Sequence, residues 1–422
     1  MAKLTMTAEP GSTLMIEGKA VVEVVKGKVD VFGCELSEGS VFNIDVCKAL
    51  PLYVVENAVV NVENGKVWLI DRKTIPDEWL HAVEKISNLD KTVKVAVIGG
   101  IDVGKSGFIT FLTNHLVERG SRVHIIDADV GQNDIGPPTT IALGVTDYKI
   151  TSLSDVPMYD AVFVGAISPH GIIQRCVSAV TILKNLALKN NAEFLILNTT
   201  GWVSDPGGRE LKLSKISAFN PDVVVGIGER GELEHLLKYF EKFYEVIRLP
   251  PAAYVKKRSR SERKIIRKSN YARWFENAKE IELSIGNIAS AHSFIFSGSK
   301  LSIDEIKLFS KYVNTKILYG EICPEVYLFV IEGWEKPRVE KILDKKILFL
   351  TSDVFNNLLV GIRSKEKLFE GLGIITSIDF NEWKIKILTP VPREKITSIQ
   401  FGYVKVNPKT FEEEKLVDKW CF

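Results

Sequence analysis

The chain has 422 residues, in which 55 lysines and arginines nearly balance 53 aspartates and glutamates, for a formal net charge of +2. This length favours two or three domains with large apolar cores, and the near-neutral balance means that any basic surface for a polyanion has to be local. We expect an intracellular, cytoplasmic protein without membrane contact, because the sequence has neither a signal-peptide pattern nor a stretch as long as a membrane span.

The cysteine pattern argues against disulfide bonds and against a zinc site. They are scattered singly as Cys34, Cys47, Cys176, Cys323 and Cys421. Their number is odd, no two form a Cys-x-x-Cys pair, and no histidine stands at metal-ligand spacing. The pattern therefore indicates neither a disulfide framework nor a zinc site.

Residues 1–80 are predicted to form an N-terminal β domain. Short runs rich in β-branched residues alternate with glycine-containing turns, which is typical of a small antiparallel sandwich or barrel. The strand candidates are Ala20–Val25, Lys28–Phe32, Leu52–Val55 and Lys66–Ile70. A helix is predicted from Ile75 to about Asn88, with Pro76 suited to its first turn, and we expect it to connect to the next domain.

The stretch from Val95 to Ser106 carries the strongest motif in the chain. An apolar run ends at Gly99, and the residues that follow complete the G-x-x-x-x-G-K-[ST] spacing of a phosphate-binding loop. Its glycines let backbone N–H groups point at phosphate oxygens, and the next helix adds the positive end of its dipole. Lys105 is expected to reach the β- and γ-phosphates while Ser106 ligates Mg²⁺. The predicted nucleotide-binding residues are Gly99, Gly100, Ile101, Asp102, Val103, Gly104, Lys105, Ser106 and Gly107.

From about Lys94 to Leu249, apolar strands alternate with helices. Such near-continuous apolar runs are typical of strands that are covered on both faces, and they predict a doubly wound, mostly parallel α/β sheet. The strand candidates are Val95–Ile98, Val123–Ile126, Ala161–Val164, Phe194–Leu197, Val223–Ile227 and Tyr244–Leu249, with helices near residues 105–118, 171–190, 208–218 and 230–242. A ligand is expected beyond the carboxyl ends of these strands.

An acidic turn follows the second of these strands. A carboxylate at this place can ligate Mg²⁺ or activate an attacking hydroxyl. Asp129 is the preferred candidate for that role, whereas Asp127 is about equally well explained as a turn cap. A turn-rich connection is predicted next, because the chain is unlikely to be helical before Pro137 and Pro138.

A basic segment separates the α/β region from the rest of the chain. Nine lysines and arginines and a single acid fall between Lys256 and Arg273. A charge run is usually a solvated face, but beside a phosphate site it can clamp phosphate. From about Leu283 the pattern returns to strands, clearest at Gly371–Phe380 and Trp383–Leu388, which predicts a small β-rich C-terminal domain.

Together these motifs resemble the polynucleotide 5′-hydroxyl kinase family, which includes the RNA kinase subunit of the pre-mRNA 3′-end cleavage factor, ribosomal-RNA-processing kinases and archaeal RNA kinases. The resemblance spans nearly the whole chain. It rests on the phosphate-binding loop, Asp129-Val-Gly-Gln, Pro137-Pro-Thr, Asn198-Thr-Thr-Gly-Trp-Val and the arginine-rich segment. It implies an N-terminal β-sandwich (residues 1–80), an α/β P-loop kinase domain (81–283) with a lid (256–273), and a β-rich C-terminal domain (284–422).

The resemblance also assigns roles to residues. Asp129 matches the aspartate that serves Mg²⁺ and activates the RNA 5′-hydroxyl. Arg263 and Arg267, one helical turn apart, match lid arginines that contact the transferring phosphoryl group, and Lys105 completes the catalytic set. Trp202 matches the tryptophan on which the terminal base stacks. The residues implied to contact substrate RNA are Gln132, Ser168, Arg175, Thr200 and Trp202.

The activity implied by the resemblance is in-line transfer of the γ-phosphoryl group of ATP, or of another nucleoside triphosphate, to the 5′-hydroxyl end of RNA, or of DNA. Protein partners in RNA processing are implied as well. One alternative is a P-loop ATPase switch, although its signature has a lysine where Gly100 stands. Others are an ATP-bound scaffold of an RNA-processing complex with little kinase activity, and a small-molecule kinase of the thymidylate type.

Overall fold

The computed structural model describes residues 3–89, 92–333, 339–342 and 344–417. The chain divides into two compact units, the first made of Met1–Val162 and Ser168–Ser269, and the second of Phe163–Ile167 and Asn270–Phe422. The division into three domains stays a prediction. Four cysteines are free thiols, and Cys421 lies outside the described residues.

The N-terminal part of the first unit is a seven-stranded sheet. Its strands are β1 (Lys3–Ala8), β2 (Thr13–Glu17), β3 (Ala20–Val31), β4 (Cys34–Ser37), β5 (Val41–Ile44), β6 (Ala49–Glu63) and β7 (Lys66–Ile70). The order is β4-β3-β6-β2-β7, with β1 on β6 and β5 on β3, and the strand pairs are antiparallel. Valines that alternate along β3 are fully buried, so one face of the sheet covers a core.

One turn predicted in this region is wrong. The sequence places a break at Gly27, but β3 continues through it as one strand whose register with β6 shifts at several points. Gly27 has φ +83°, and a Cβ at this position would collide with the Asn57 carbonyl. The glycine therefore serves a bulge within the strand rather than a turn between two strands.

The rest of the first unit is a seven-stranded α/β sheet. Its strands are β8 (Val93–Gly99), β9 (Val123–Ala128), β10 (Thr140–Thr146), β11 (Met158–Phe163), β12 (Phe194–Thr199), β13 (Val223–Ile227) and β14 (Glu245–Leu249). The helices are α1 (Asp77–Ser87), α2 (Lys105–Glu118), α3 (Ile173–Lys189), α4 (Asp205–Phe219), α5 (Glu234–Phe240) and α6 (Arg260–Trp274). The strand order is β11-β10-β9-β12-β8-β13-β14.

This sheet has the predicted mostly parallel core. Strands β9, β12, β8, β13 and β14 are parallel neighbours, and β10 is antiparallel to β9. Strand β10 is absent from the sequence prediction, because it follows directly on the proline-rich turn and contains a glycine, Gly144, against which Val156 packs. The carboxyl ends of the parallel strands are brought to one edge, where the loops that carry the motifs begin.

The second unit contains two further sheets. The strands are β15 (Lys279–Ser284), β16 (Ala289–Ala291), β17 (Ser299–Lys300), β18 (Ile317–Ile322), β19 (Val326–Ile331), β20 (Lys341–Ile342), β21 (Lys345–Thr351), β22 (Leu358–Arg363), β23 (Gly371–Asp379), β24 (Lys384–Thr389), β25 (Ser398–Val406) and β26 (Glu413–Leu416), with helix α7 (Ile303–Val313). One sheet has the order β15-β24-β23-β22-β25-β16, with β26 on β25, and the other β17-β18-β19-β21-β20. The two strands predicted from sequence are β23 and β24. In the described part of the chain no helix is long and apolar enough to cross a membrane.

Candidate active site

The phosphate-binding loop joins β8 to α2, as its motif requires. Strand β8 ends at Gly99 and α2 begins at Lys105. Gly104 has φ +99°, a left-handed conformation that favours glycine. A Cβ at Gly99 would collide with the carbonyl of Ile227 at the end of β13, so the loop passes close to a neighbouring strand at a position that only glycine fits.

Lys105 lies almost completely inside this loop. Its Nζ donates hydrogen bonds to the carbonyls of Gly99 (3.1 Å) and Gly100 (2.6 Å), and 9% of the residue is exposed. Burial lowers the pKa of Lys105, although Asp129 and other nearby carboxylates oppose the shift. The ammonium is therefore held at the start of the loop, where phosphate oxygens could replace the two carbonyls as its partners.

The two aspartates after β9 have different surroundings. Asp127 is fully buried and accepts hydrogen bonds from the backbone N–H groups of Asp129 and Asp134 and from the Asn198 amide (3.2, 2.7 and 3.0 Å). Burial and the neighbouring Asp134 raise the pKa of Asp127 to about 8. Asp127 therefore organises the turn, which favours the capping interpretation for this residue.

Asp129 leaves part of its carboxylate available. Its Oδ1 accepts hydrogen bonds from the backbone N–H groups of Gly131 (3.2 Å) and Gln132 (3.1 Å), and the residue is half-buried. Among the described residues, no group of three or more histidines, cysteines or acids is placed to hold a metal ion. The hydroxyl of Ser106 and the carboxylate of Asp129 are hard oxygen donors of the type that Mg²⁺ prefers.

The loop after β12 packs directly on the phosphate-binding loop. A Cβ at Gly201 would lie 2.5 Å from Cγ1 and 2.8 Å from Cα of Ile101. Thr200 is held from the other side, because Nζ of Lys212 donates to its carbonyl (2.5 Å) and its hydroxyl (3.1 Å). Trp202, which follows Gly201, is half-buried. The backbone just before this aromatic residue is thus packed against the phosphate-binding loop.

The basic segment forms most of α6 and the irregular residues before it, and an ion pair and a backbone hydrogen bond join it to the phosphate-binding loop. Nη2 of Arg263 lies 2.8 Å from Oδ2 of Asp102, and the Arg258 N–H donates to the same oxygen (2.9 Å). Gln132 Nε2 donates to the Arg263 carbonyl (3.4 Å). Arg267, one turn further along α6, is buried, with 7% exposed. The contacts therefore bring Arg263 and Gln132 to the predicted site.

Two predicted substrate-binding residues lie at or just before the start of α3. Ser168 is exposed in the turn before α3, where its Oγ accepts a hydrogen bond from the His170 N–H (3.4 Å). Arg175 is half-buried in the first turn of α3. Their roles in binding substrate stay predictions.

Several charged groups near the motifs were not predicted from the sequence. Lys212 and Lys215 are both fully buried on one face of α4, and Nζ of Lys215 lies 3.5 Å from the Ala128 carbonyl, at the end of β9. The Glu232 carboxylate lies so close to Gly100 that a Cβ there would be 2.6 Å from Oε1. The sequence does carry a signal for Lys212 and Lys215, because they lie three residues apart within the apolar stripe of a helix. Lysine is rarely buried in such a stripe unless it has a polar partner.

Several known proteins are similar to this chain in sequence. Residues 99–277 match the family described as mRNA cleavage and polyadenylation factor CLP1 P-loop. The chain is 36% identical over 348 residues to a polyribonucleotide 5′-hydroxyl-kinase of Pyrococcus horikoshii. The aligned residues make up 82% of this chain and 94% of that protein. A polyribonucleotide 5′-hydroxyl-kinase of Methanocaldococcus jannaschii is 33% identical over 349 residues, or 82% and 95% of the two chains.

A more distant relative and a solved structure are also similar to this chain. The polyribonucleotide 5′-hydroxyl-kinase Clp1 of Xenopus tropicalis is 25% identical over 295 residues, which are 65% of this chain and 67% of that one. Among solved structures, that of a wild-type Clp1p–Pcf11p complex contains a similar chain, with a TM-score of 0.67 at 13% identity over 96% of this chain and 98% of the other. At this identity the likeness bears on the fold alone, and it agrees with the α/β P-loop fold.

Proposed function

The chain belongs to the polyribonucleotide 5′-hydroxyl-kinase family, and on that premise we propose that it transfers the γ-phosphoryl group of ATP to the 5′-hydroxyl end of RNA. One observation carries the proposal for this chain. The phosphate-binding loop contacts both other parts that the reaction needs, through the Asp102–Arg263 ion pair and the packing of Gly201 on Ile101. These contacts support a proposed site that combines a phosphate cradle, a cationic lid and an aromatic side chain.

In the proposed reaction the oxygen of the 5′-hydroxyl forms a bond to the γ-phosphorus while the bond to the β,γ-bridging oxygen breaks. Loop N–H groups and Lys105 neutralise charge on the phosphates, and Arg263 and Arg267 stabilise the charge that develops on the transferred group. Asp129 accepts the proton of the attacking hydroxyl. Ser106 and Asp129 would hold Mg²⁺, which supplies further charge neutralisation at the β- and γ-phosphates.

The remaining predicted residues complete the proposal. We place the terminal base at Trp202, and assign Gln132, Ser168, Arg175 and Thr200 to contacts with the RNA end. In this proposal an N-terminal β-sandwich and a β-rich C-terminal domain flank the kinase domain. The solved relative is in a complex with Pcf11p, and we infer that this chain also has protein partners in RNA processing.

Transfer of labelled γ-phosphate from ATP to RNA and DNA oligonucleotides with 5′-hydroxyl ends tests the proposal. We expect labelled RNA from the wild type, and a loss of about 10³-fold or more for Lys105→Ala and Asp129→Asn. Lys189→Ala and Asp147→Asn alter exposed residues of the same unit and serve as matched controls. Release of free phosphate without labelled oligonucleotide would favour a P-loop ATPase switch. Binding of ATP without any turnover would favour an ATP-bound scaffold.

A further inference from the structure

Trp202 is anchored along one edge of its indole. Its Nε1–H donates a hydrogen bond to Oδ2 of Asp205 (2.8 Å). A Cβ at Gly207 would lie 2.7 Å from Cζ2 and Cη2 of the ring, and one at Gly208 would lie 3.0 Å from Cδ1. All of these atoms belong to the edge that carries the N–H group. The start of α4 therefore packs closely against the indole and fixes its position.

The ring neighbour of Trp202 in the described structure is His170. The two ring centroids lie 6.0 Å apart with an interplanar angle of 56°, within the range in which aromatic rings attract one another. His170 is exposed, in the turn between β11 and α3, whereas Trp202 follows β12. Two loops from different strands thus each supply one aromatic ring to the same place.

A flat ligand can enter between the two rings only if they separate and become parallel. A base stacked between two rings needs about 7 Å between them, twice the contact distance of about 3.5 Å between carbon atoms. At a centroid distance of 6.0 Å and an interplanar angle of 56° the rings are in contact, so the exposed His170 side chain has to rotate away from the indole to admit the base. Without that opening, a base on Trp202 would still meet the imidazole at its edge.

The charged group next to Trp202 is a carboxylate. Asp205 accepts a hydrogen bond from Trp202, and hydrogen bonds from the Gly208 N–H and from Trp202 lower the pKa of its carboxyl. An ionised carboxylate offers no donor to a phosphate oxygen. The contact with RNA at this place therefore has to come from the rings.

Resting on the proposed function, we propose that His170 is a second base-contacting residue, which together with Trp202 clamps the 5′-terminal base of the RNA acceptor. The clamp positions the end of the strand relative to the phosphate-binding loop, since Gly201 links Trp202 to Ile101. Any base can stack there, so the clamp recognises the presence of a base rather than its identity. Acceptors without a terminal base are poor substrates.

Steady-state kinetics on two RNA substrates tests the clamp. One substrate has an ordinary 5′-terminal nucleotide, and the other an abasic ribose with a 5′-hydroxyl. With the ordinary RNA, we expect His170→Ala to raise the KM for RNA about 5- to 20-fold, with kcat and the KM for ATP within about twofold of the wild type. His170→Phe should restore most of the loss, and His81→Ala, at an exposed histidine of α1, should have no effect.

The abasic substrate separates stacking from other contacts. For the wild type its KM should rise by more than the alanine substitution raises it, because an abasic end loses the contacts with both rings, and His170→Ala should add nothing further. An equal effect of His170→Ala on both substrates, failure of phenylalanine to rescue, or no effect at all would overturn the clamp.

Equilibrium binding of the two RNAs to the wild type and to His170→Ala distinguishes failure of the clamp from failure of the kinase proposal. If binding depends on both the base and His170 while no phosphate is transferred, the kinase proposal fails and the clamp stands. If RNA is phosphorylated but neither KM nor affinity depends on His170, only the clamp fails.

Discussion

Oδ2 of Asp102 accepts a hydrogen bond from Nη2 of Arg263 at 2.8 Å and one from the Arg258 N–H at 2.9 Å. A single carboxylate oxygen in the phosphate-binding loop therefore holds two residues of the basic segment. The Asp102 side chain is 13% exposed, so the pair is only partly screened by water. In the transition state the transferred phosphoryl group would bring a second anionic partner for Arg263, and Asp102 would then compete with it for the guanidinium.

Asp102→Asn should release the basic segment and tighten nucleotide binding. The substitution removes one negative charge beside the phosphates, so we expect the Kd for ATP to fall about 3- to 10-fold. Asparagine also tolerates the φ of +53° at this position. Trypsin should cut between residues 256 and 273 faster than in the wild type when no nucleotide is present.

Glu234→Gln is the matched control for that measurement, since it breaks the exposed Arg248–Glu234 pair away from the loop. Unchanged trypsin cleavage in Asp102→Asn would mean that contacts such as Lys256–Glu17 and Lys256–Glu262 hold the segment without the aspartate.

Arg263→Ala and Arg267→Gln should lower kcat with little change in ATP affinity. If both arginines stabilise the charge that develops on the transferred phosphoryl group, their loss destabilises the transition state more than the bound ATP. We therefore expect kcat to fall about 10²- to 10³-fold. Lys264→Ala, at an exposed position on the same helix, should leave kcat unchanged. A change confined to RNA affinity and its salt dependence would instead make the segment a backbone-binding patch.

The parallel sheet could be predicted because its strands carry their signal locally. The runs that form β8, β9, β12 and β13 are continuously apolar, since both faces are covered, and the phosphate-binding motif itself fixes a junction of strand and helix. Strand β10 carries no such signal. Its start follows two prolines, and the glycine within it is explained by close packing that only the folded chain reveals.

A candidate site residue can be predicted from sequence only where a motif includes it. Asp129 follows a strand end and is a prediction of that kind, whereas the Asp102–Arg263 pair joins residues 161 positions apart that no local pattern links. The ring of His170 lies near that of Trp202 although the two residues follow different strands, β11 and β12, which are not neighbours in the sheet. Such partners depend on tertiary packing, which periodicity and spacing do not encode.

Lys212→Met should lower kcat without lowering stability. Lys212 is fully buried, and burial together with Lys215 and Lys105 lowers the pKa of its ammonium well below the usual value. Methionine removes this desolvated group but leaves the Thr200 carbonyl without its donor, so the two effects on stability largely cancel. We expect the melting temperature to change by less than about 4 °C.

The kinetic effect of the same substitution should be larger, about 10- to 100-fold in kcat, because the Thr200–Trp202 loop loses the contact that positions it. Arg209→Met, at an exposed position of α4, is the control. A clear fall in melting temperature with unchanged kcat would show that Lys212 only supports the fold.

Histidine 124 should make the first unit less stable in acid. The His124 side chain is fully buried in β9, and burial lowers its pKa from 6.5 to about 4. Between these two values the unfolded chain binds a proton that the folded chain does not, so this contribution is fully present above pH 6.5 and is lost as the pH falls towards 4. Between pH 7.5 and pH 5 the wild type should lose on the order of 2 kcal/mol of unfolding free energy that His124→Leu keeps. Urea unfolding of both proteins at the two pH values measures the difference, with His81→Leu as the exposed control, and equal losses in all three would mean that folded His124 takes up the proton as readily as the unfolded chain.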